Sequence, residues 1–435
     1  MVRTAKRDLT RQQQLARGPV DLPYLGLVLI LLGIGLVMLL SSSSYVASIE
    51  KTSNYDGAYY FKRQAAFAAM GLVVMYFVSK FDYQRLRGIS VFVLGLAILL
   101  LIAVLIPHVG VTHNNATRWL KIGVEFQPSE VAKIGVVLFF AARLSKREQY
   151  KTKPSKNRYS KPVEKIRRFW YWSELNELWP LILILLVVAL LLIREPHLSA
   201  TILIFAAAAA ILFAAGVKLF WFVLGGGLGA FGVWFLLVVI GYNGSRIEMW
   251  KNPWADPGDK GYQIVQSLYA VASGGLSGLG FGMSRQKFAY LPEEQNDYIF
   301  SIVCEEMGFI GAAIIIALFA LLVIRGYWLA LHARDRFGAL TIVGITTLMA
   351  VQVFLNIAVV TNLIPSTGIA LPFFSYGGTA LVIQLAEMGI VLSISRQIPA
   401  PPEPAKKPLT RAEKKALKKV KKAEAKAAKA AEKAE

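Results

Sequence analysis

The sequence predicts an all-α fold, namely a polytopic integral membrane protein with about ten transmembrane helices. Of its 435 residues, 55% are hydrophobic and only 17% are charged, whereas soluble domains contain about 25% charged residues. The apolar residues form runs long enough to cross a bilayer, which takes roughly 20 residues in a helix. Most of the net charge of +21 lies between these runs or outside them.

The apolar runs define the predicted spans in chain order. The first run is too long, and too poor in a cleavage signal, to be a removable signal peptide, so it is predicted to be the uncleaved first helix. The ten predicted spans are residues 22–43, 63–79, 88–107, 129–143, 179–194, 199–216, 219–241, 298–324, 339–361 and 377–395.

The basic residues predict which way the chain crosses the membrane. Residues 1–20 carry a net charge of +4, residues 143–178 carry +7 and residues 396–435 carry +8, which together make +19 of the total. With ten spans these three segments share one face, and an excess of Lys and Arg marks the cytoplasmic face. We therefore expect a multi-pass plasma-membrane protein with both termini in the cytoplasm.

The same pattern divides the chain into three parts. A basic N-terminus, residues 1–20, precedes a ten-helix membrane domain, residues 21–397. The remainder, residues 398–435, is a basic Lys/Ala-rich tail. Because this tail has almost no apolar face, we predict a solvated segment near anionic lipid headgroups rather than a nucleic-acid-binding arm.

Several classes of site are excluded by composition. A single cysteine excludes a disulfide framework, and the four histidines lack the spacing of a zinc site. Gly278, Gly280 and Gly282 are not followed by the Lys-Ser/Thr of a phosphate-binding loop, so no nucleotide cofactor is expected. These glycines are predicted to allow tight turns and close helix packing.

A long extracellular loop is predicted between spans 7 and 8, at about residues 242–297. A loop of this length is more often functional than not. Asp297 ends the loop, just before an apolar run. Burial at the rim of a helix bundle would raise the pKa of its carboxyl group toward that of a useful general base. Alternatively Asp297 caps the helix that follows, and its position alone favours this interpretation.

Charged residues near the outer face form the rest of the predicted site. Glu130 and Lys133 lie three residues apart, so they share a helix face and can pair, either as a structural ion pair or in catalysis. The outer-face cations suit a phosphate or pyrophosphate group. They are Arg118, Lys121, Arg246 and Lys287, the last of which could equally form an ordinary interfacial charge pair.

Short motifs at the ends of the spans cover most of residues 20–397. They are Phe61-Lys62-Arg63-Gln64, Thr117-Arg118-Trp119, Phe126-Gln127-Pro128-Ser129-Glu130, Asn252-Pro253-Trp254-Ala255-Asp256-Pro257, Gly261-Tyr262-Gln263, Gln286-Lys287, Leu291-Pro292-Glu293, Asp297-Tyr298-Ile299-Phe300, Glu305-Glu306, Pro365-Ser366-Thr367-Gly368 and Ser375-Tyr376-Gly377-Gly378. Together they resemble the SEDS family (shape, elongation, division and sporulation). Residues 252–257 and Gln286-Lys287 are more similar to the FtsW/SpoVE-type branch than to the RodA-type branch.

The resemblance implies a peptidoglycan glycosyltransferase of the bacterial cytoplasmic membrane. Such an enzyme polymerises lipid II, a disaccharide-pentapeptide on undecaprenyl pyrophosphate, at the outer face, here for the septal wall. It implies a class B penicillin-binding protein transpeptidase and other divisome proteins as partners. The family's essential aspartate falls on Asp297, which favours the base over the helix cap. A lipid II flippase and a non-catalytic divisome scaffold are the alternatives.

Two details of the predicted site follow from the resemblance. His197 stands where the family has the acid that pairs with the buried lysine of span four, so Lys133 is expected to pair with Glu130 or Glu195. A divalent cation, Mg²⁺ or Mn²⁺, would share the neutralisation of the leaving pyrophosphate, and the sequence does not reveal its ligands.

Overall fold

The computed structural model describes residues 18–113, 116–122, 124–147, 174–234 and 244–398. Within these ranges, the residues as far as Gln397 belong to one compact unit. Most of the basic N-terminus, most of the predicted cytoplasmic loop 143–178 and nearly all of the basic tail lie outside the described residues. The predicted division of the chain at residues 20 and 397 therefore stays a prediction.

A helix covers each predicted span in the described part of the chain. The helices are α1 (Leu22–Ile49), α2 (Tyr59–Lys80), α3 (Tyr83–Val104), α4 (Pro128–Leu144), α5 (Leu175–Arg194), α6 (Leu198–Ala214), α7 (Leu219–Trp234), α8 (Gly244–Lys251), α9 (Tyr262–Ser273), α10 (Ile299–His332), α11 (Arg336–Val360) and α12 (Thr379–Ser395). Two of them, α8 and α9, lie in the long loop, and the other ten match the predicted spans. The prediction of a polytopic helical membrane fold is confirmed.

The helices differ in whether they are long enough to span a membrane. In the described part of the chain, six are long and apolar enough to cross a membrane, namely α1, α2, α3, α5, α10 and α11. Three others, α6, α7 and α12, are shorter apolar helices. Helix α4 has 17 residues, the lower limit for a span, and most of its side chains are buried. It therefore lies inside the bundle.

Close contacts between glycines and neighbouring helices hold the bundle together. Among the described helices, α2 and α12 have the most extensive contact. A Cβ atom at Gly71 would lie 2.5 Å from Leu385 Cδ1, and one at Gly389 would lie 2.8 Å from the Met75 carbonyl oxygen. Small residues allow this approach, which strengthens dispersion contacts where lipid removes most of the hydrophobic driving force between helices.

A small sheet lies between α3 and α4, where only a loop was predicted. Its strands β1 (Gly110–His113), β2 (Ala116–Ile122) and β3 (Val124–Phe126) are antiparallel in the order β1-β2-β3. The β-branched and aromatic residues of β2 favour a strand. The all-α prediction missed the sheet because each strand is too short to stand out beside the apolar spans.

The described part of the long loop between α7 and α10 is bonded to α10. Helix α10 is broken at Gly308, whose φ of 66° lies outside the helical range. Beyond the break, the amides of Phe309 and Ile310 donate to the carbonyl oxygens of Gly275 and Leu276. Residues 274–276 therefore take the place of a helical turn. This attachment fixes the loop that leads to Asp297.

Candidate functional site

Asp297 lies two residues before α10 and does not cap it. The capping position is occupied by Tyr298, which makes no side-chain capping hydrogen bond. The helix-cap interpretation of Asp297 is therefore wrong. Asn356 of α11 donates from Nδ2 to the carbonyl oxygens of Asp297 and Ile369, each at 2.7 Å. One buried amide thus fixes both the backbone of Asp297 and the segment opposite.

Ile369 follows directly on the turn Ser366-Thr367-Gly368. Side chains from distant helices contact this turn. Arg246 of α8 donates from Nη1 to the Ser366 carbonyl oxygen at 3.3 Å. Ser199 of α6 donates from its hydroxyl to the Thr367 carbonyl oxygen. A Cβ atom at Gly368 would lie 3.8 Å from Asp297 Oδ2, so the carboxylate lies directly against the turn.

The electrostatics of Asp297 match those of a general base. The pKa of its carboxyl group is raised to about 7, mainly by burial and to a smaller extent by the negative charge of Glu293. The hydrogen bond to its backbone and the positive charge of Arg246 oppose the shift. A carboxyl group with a pKa near neutrality is partly in the basic form at physiological pH and accepts a proton readily. The raised pKa predicted from the sequence is confirmed.

Arg118 and Lys121 both lie on β2, in different surroundings. The guanidinium group of Arg118 donates to the carbonyl oxygens of Glu195 and Pro196, in the turn between α5 and α6. Lys121 is exposed and stands opposite Glu125 of β3. Residues three apart on a strand point to opposite faces. The two predicted cations therefore do not act on one side of the sheet.

Glu130 and Lys133 form the predicted ion pair on α4. Lys133 Nζ lies 2.7 Å from Glu130 Oε2, and the side chains are 4% and 13% exposed. The prediction that these residues share a helix face and pair is confirmed. Whether either of them contacts substrate stays a prediction.

The turn between α5 and α6 contains a buried histidine and a buried acid. Burial and the nearby cations Arg118 and Lys133 lower the pKa of His197 to about 3, so the imidazole is neutral. Burial raises the pKa of Glu195 to about 8, against the attraction of Arg118. Neither carboxylate oxygen of Glu195 has a hydrogen-bond partner among the described residues. Of the two acids expected for Lys133, the one in contact with it is Glu130.

Lys287 belongs to a different part of the structure from the other predicted cations. Its ammonium group lies 3.3 Å from Glu306 Oε1 and donates to the Gly282 carbonyl oxygen at 2.5 Å. Both side chains are buried. A headgroup would have to displace Glu306 to reach this lysine, so the structure favours a role in holding the loop.

Glu305 and Glu306 anchor the loop from the second turn of α10. Glu305 accepts hydrogen bonds from the amides of Arg285 and Gln286, at 3.0 and 3.3 Å. Glu306 accepts from the Ser41 hydroxyl at 2.7 Å, in addition to its ion pair with Lys287. Two consecutive acids inside an apolar helix were the sequence signal for this cluster, and they were noted only as part of a motif.

Among the described residues, no group of three or more His, Cys, Asp or Glu side chains lies close enough together to hold a metal ion. Asp297 and its neighbour Glu293 are therefore not a metal site of their own. The divalent cation stays a prediction.

Comparison with known proteins identifies the family. The family model for FtsW, RodA and SpoVE, described as cell cycle protein, matches residues 23–399. The chain belongs to this family. The resemblance inferred from the motifs is thereby confirmed, since FtsW, RodA and SpoVE are the proteins to which it pointed.

Two curated relatives of this family member match it over nearly their whole length. Stage V sporulation protein E from Bacillus subtilis is 39% identical over 378 residues, which is 86% of this chain and 97% of the relative. The probable peptidoglycan glycosyltransferase FtsW from Geobacter sulfurreducens is 37% identical and covers 88% of this chain and 96% of the relative. Both belong to the division and sporulation branch that the motifs favoured.

Solved structures of other members share the fold. A chain from a peptidoglycan synthase complex that coordinates polymerization and crosslinking has a TM-score of 0.67 and 27% identity, and covers 87% of this chain and 98% of that one. The rod shape determining protein RodA from Thermus thermophilus has a TM-score of 0.60 and 25% identity over 88% of this chain and 98% of that one.

Proposed function

We propose that this chain is a peptidoglycan glycosyltransferase that polymerises lipid II at the outer face of the cytoplasmic membrane, for septal wall synthesis. Full-length similarity to a relative named as such an enzyme supports the reaction. Similarity to the sporulation and division relatives rather than to RodA alone supports the septal role. An outward-facing site with both termini in the cytoplasm is supported by the excess of basic residues in three segments, residues 1–20, 143–178 and 396–435.

The observation that carries the proposal is the environment of Asp297. Its carboxylate is held against the 366–368 turn, with a pKa of about 7 and with Arg246 bonded to the same turn. Transfer of a sugar from a pyrophosphate requires a base and a way to offset the charge of the leaving group. A carboxylate and a cation are both present at this turn. The base prepares the attacking hydroxyl, and the cation offsets the charge that develops on the leaving group.

The proposed reaction is a single displacement at the anomeric carbon of the donor sugar. Asp297 takes the proton from the acceptor hydroxyl, whose oxygen forms the new glycosidic bond. The bond from the anomeric carbon to the pyrophosphate oxygen breaks, and undecaprenyl pyrophosphate leaves with the electron pair. The anomeric carbon is inverted, because the attacking oxygen enters opposite the leaving one.

The remaining predicted site residues take subordinate roles in this proposal. Arg246 and Arg118 offset negative charge on the pyrophosphates, and Lys121, on the opposite face of the sheet from Arg118, is the least well placed of the three to do so. Glu130 and Lys133 stabilise the buried end of α4, and Lys287 holds the loop through Glu306. A divalent cation would help to offset the charge of the leaving pyrophosphate, and the described residues offer no group of three or more His, Cys, Asp or Glu side chains to hold it.

The expected partner is a class B penicillin-binding protein transpeptidase, with other divisome proteins around it. A solved complex similar to this chain coordinates polymerization with crosslinking, which supports a crosslinking partner for this chain as well. Polymerisation would supply the glycan strands on which such a partner acts.

The decisive experiment is to incubate the purified full-length chain with lipid II, alone and with a candidate class B partner, and to separate the products by gel electrophoresis. Glycan polymer that is lost in Asp297→Asn supports the proposal. The same protein reconstituted in vesicles is tested for lipid II translocation. Translocation without polymer under any partner condition would favour the flippase.

The scaffold alternative predicts a different pattern in cells. Deletion of residues 399–435 should then abolish division while Asp297→Asn should support it. Under the glycosyltransferase proposal, Asp297→Asn fails to support division at normal protein levels, and the tail deletion has the smaller effect.

A further inference from the structure

The segment that leads into Asp297 has its backbone held by other elements. Residues 295–297 lie in a turn, and their three carbonyl oxygens all accept hydrogen bonds from distant residues. The Tyr376 amide donates to the first at 2.8 Å, and the Ser375 hydroxyl donates to the second at 2.5 Å. Asn356 donates to the third at 2.7 Å. Backbone polar groups outside helices and strands still need partners, so these three bonds together fix the position of Asp297.

Gln64 of α2 holds the turn that supplies two of these donors. Its side chain is fully buried. The Nε2 atom donates to the Ser375 carbonyl oxygen at 3.0 Å, and Oε1 accepts from the amides of Gly377 and Gly378 at 3.3 and 3.2 Å. Residues 375–378 therefore fold around one carboxamide, which bonds to them through both its donor and its acceptor.

Two sequence motifs that lie far apart in the chain meet at this carboxamide. Gln64 ends the motif Phe61-Lys62-Arg63-Gln64, and Ser375, 311 residues later, begins the motif Ser375-Tyr376-Gly377-Gly378. Helix α2, which carries Gln64, has its most extensive contact with α12, the helix that follows the turn. The position of the carboxamide is therefore set by the packing of these two helices and not by the turn itself.

We infer that Gln64 is a positioning residue for Asp297, which it holds in place through the turn at residues 375–378. The path runs from the carboxamide to the backbone of this turn, and from the turn to the carbonyl oxygens of residues 295–296. The inference rests on the proposed function, because this positioning affects a reaction only if Asp297 is the base. A displacement of about 1 Å in a catalytic group can lower a rate by about 100-fold.

Gln384 of α12 provides a matched control for Gln64. Its side chain is 7% exposed, and its Oε1 accepts from the Phe373 amide at 3.4 Å. This glutamine supports the same stretch of chain, but it bonds to a residue that precedes the turn in contact with residues 295–297. Methionine in place of either glutamine keeps the length and the apolar part of the side chain and removes both the donor and the acceptor.

The first measurement is lipid II polymerisation by the purified full-length protein. In Gln64→Met the rate should fall by about 10–100-fold with KM within about threefold of the wild type, because the base is displaced while the substrate contacts remain. The pH at which the rate is half its maximum should fall from about 7 by about half a unit or more, since a loosened Asp297 is less buried. Its charged neighbours, Glu293 and Arg246, are the same in both variants. Gln384→Met should keep the pH midpoint and stay within about threefold of the wild-type rate.

The second measurement is amide hydrogen exchange, which does not depend on the proposed function. In Gln64→Met, residues 376–378 should exchange about tenfold faster or more, because the amides of the two glycines lose their acceptor. The faster exchange should extend to residues 296–298, which a support confined to the turn would leave unchanged. Gln384→Met should exchange like the wild type in both stretches.

Two results would overturn the inference. One is a folded Gln64→Met variant with the rate and pH midpoint of the wild type, and the other is faster exchange that stops at residues 376–378. If Gln64→Met does not fold, Gln64→Asn replaces it, because its amide is one methylene group too short to reach the turn, and the same two results then decide. If the wild type makes no polymer, the proposed function fails, and exchange at residues 296–298 still decides whether Gln64 holds this segment.

Discussion

Two sets of carboxylates at the end of the long loop have opposite surroundings: buried Glu305 with buried Glu306, and the half-buried Asp297 by itself. Glu305 and Glu306 accept hydrogen bonds from backbone amides and serine hydroxyls, and Glu306 also pairs with Lys287. Asp297 lies outside this cluster, and its hydrogen bond to the backbone does not offset burial, so its pKa rises to about 7. Donors around a buried carboxylate stabilise its charge and lock the structure. Too few donors leave a carboxylate that readily takes a proton.

The comparison predicts that Asp297 can be neutralised with a large loss of activity and little loss of stability. In Asp297→Asn the shape is kept and the base is removed, so polymerisation should fall by about 10²–10⁴-fold. The measurement is glycan polymer formed from lipid II by equal amounts of folded protein. A folded Asp297→Asn variant with full activity would show that Asp297 is not the base.

For Glu306, in contrast to Asp297, we expect neutralisation to cause a large loss of stability. Glu306→Gln leaves the ammonium group of Lys287 buried without its partner, which should cost about 3–5 kcal/mol of stability. The loss is measured as a lower melting temperature and a lower yield of folded protein. Lys287→Met combined with Glu306→Gln removes both charges and should recover much of the stability. A single variant as stable as the wild type would contradict the role of the cluster.

Two glycines, one beside Glu306 and one beside Asp297, extend the comparison of the two regions to the backbone. Gly278 and Gly368 both have positive φ, which costs a residue with a side chain about 1–3 kcal/mol. A Cβ at Gly278 would also lie 2.2 Å from the Glu306 carbonyl oxygen, whereas one at Gly368 meets nothing closer than Asp297 Oδ2 at 3.8 Å.

Gly278→Ala should therefore destabilise the protein more than Gly368→Ala does. Gly368→Ala places a methyl group beside the base, so it should lower polymerisation more than it lowers the melting temperature. Thermal melting and polymerisation of the two variants, measured side by side, distinguish the two regions. Equal losses of stability would mean that the loop is not held as tightly as its contacts with α10 indicate.

The sequence revealed the membrane helices and Asp297 for reasons that are local. Apolar runs of span length identify helices without knowledge of their neighbours. The ion pair of Glu130 and Lys133 depends only on a spacing of three residues in one helix. Asp297 was singled out because it ends a long loop. Its position alone favoured a helix cap, and the resemblance to the SEDS family favoured the base.

What the sequence did not reveal depends on contacts between distant segments. Lys287 was predicted either to meet a headgroup or to form an ordinary interfacial charge pair. Its partner Glu306 is 19 residues away, across a loop whose path cannot be read from spacing. Asn356 is buried, and its two carbonyl acceptors lie in separate segments, so no local pattern reveals its role. The sheet that carries Arg118 is stabilised by pairing between strands that are individually too short to predict.

The comparison also predicts how activity depends on pH. A general base acts only when deprotonated, and the pKa of Asp297 is about 7. The polymerisation rate should rise about tenfold per pH unit below pH 7 and level off above it. The residual activity of Asp297→Asn should not show this step. A wild-type rate that already levels off near pH 5 would mean that the ordinary carboxyl pKa is retained.

Stability should change with pH in the opposite direction. The pKa of Asp297 is raised in the folded protein, so between about pH 4 and 7 the folded state holds a proton that the unfolded chain has lost. This contribution to stability is complete below the unfolded pKa and is lost as the pH rises through 7. The melting temperature of the wild type, relative to Asp297→Asn, should therefore fall between pH 5 and pH 8. The Glu306→Gln variant, whose Asp297 is unchanged, should show the same fall relative to its own Asp297→Asn derivative, because the two sets of carboxylates act independently.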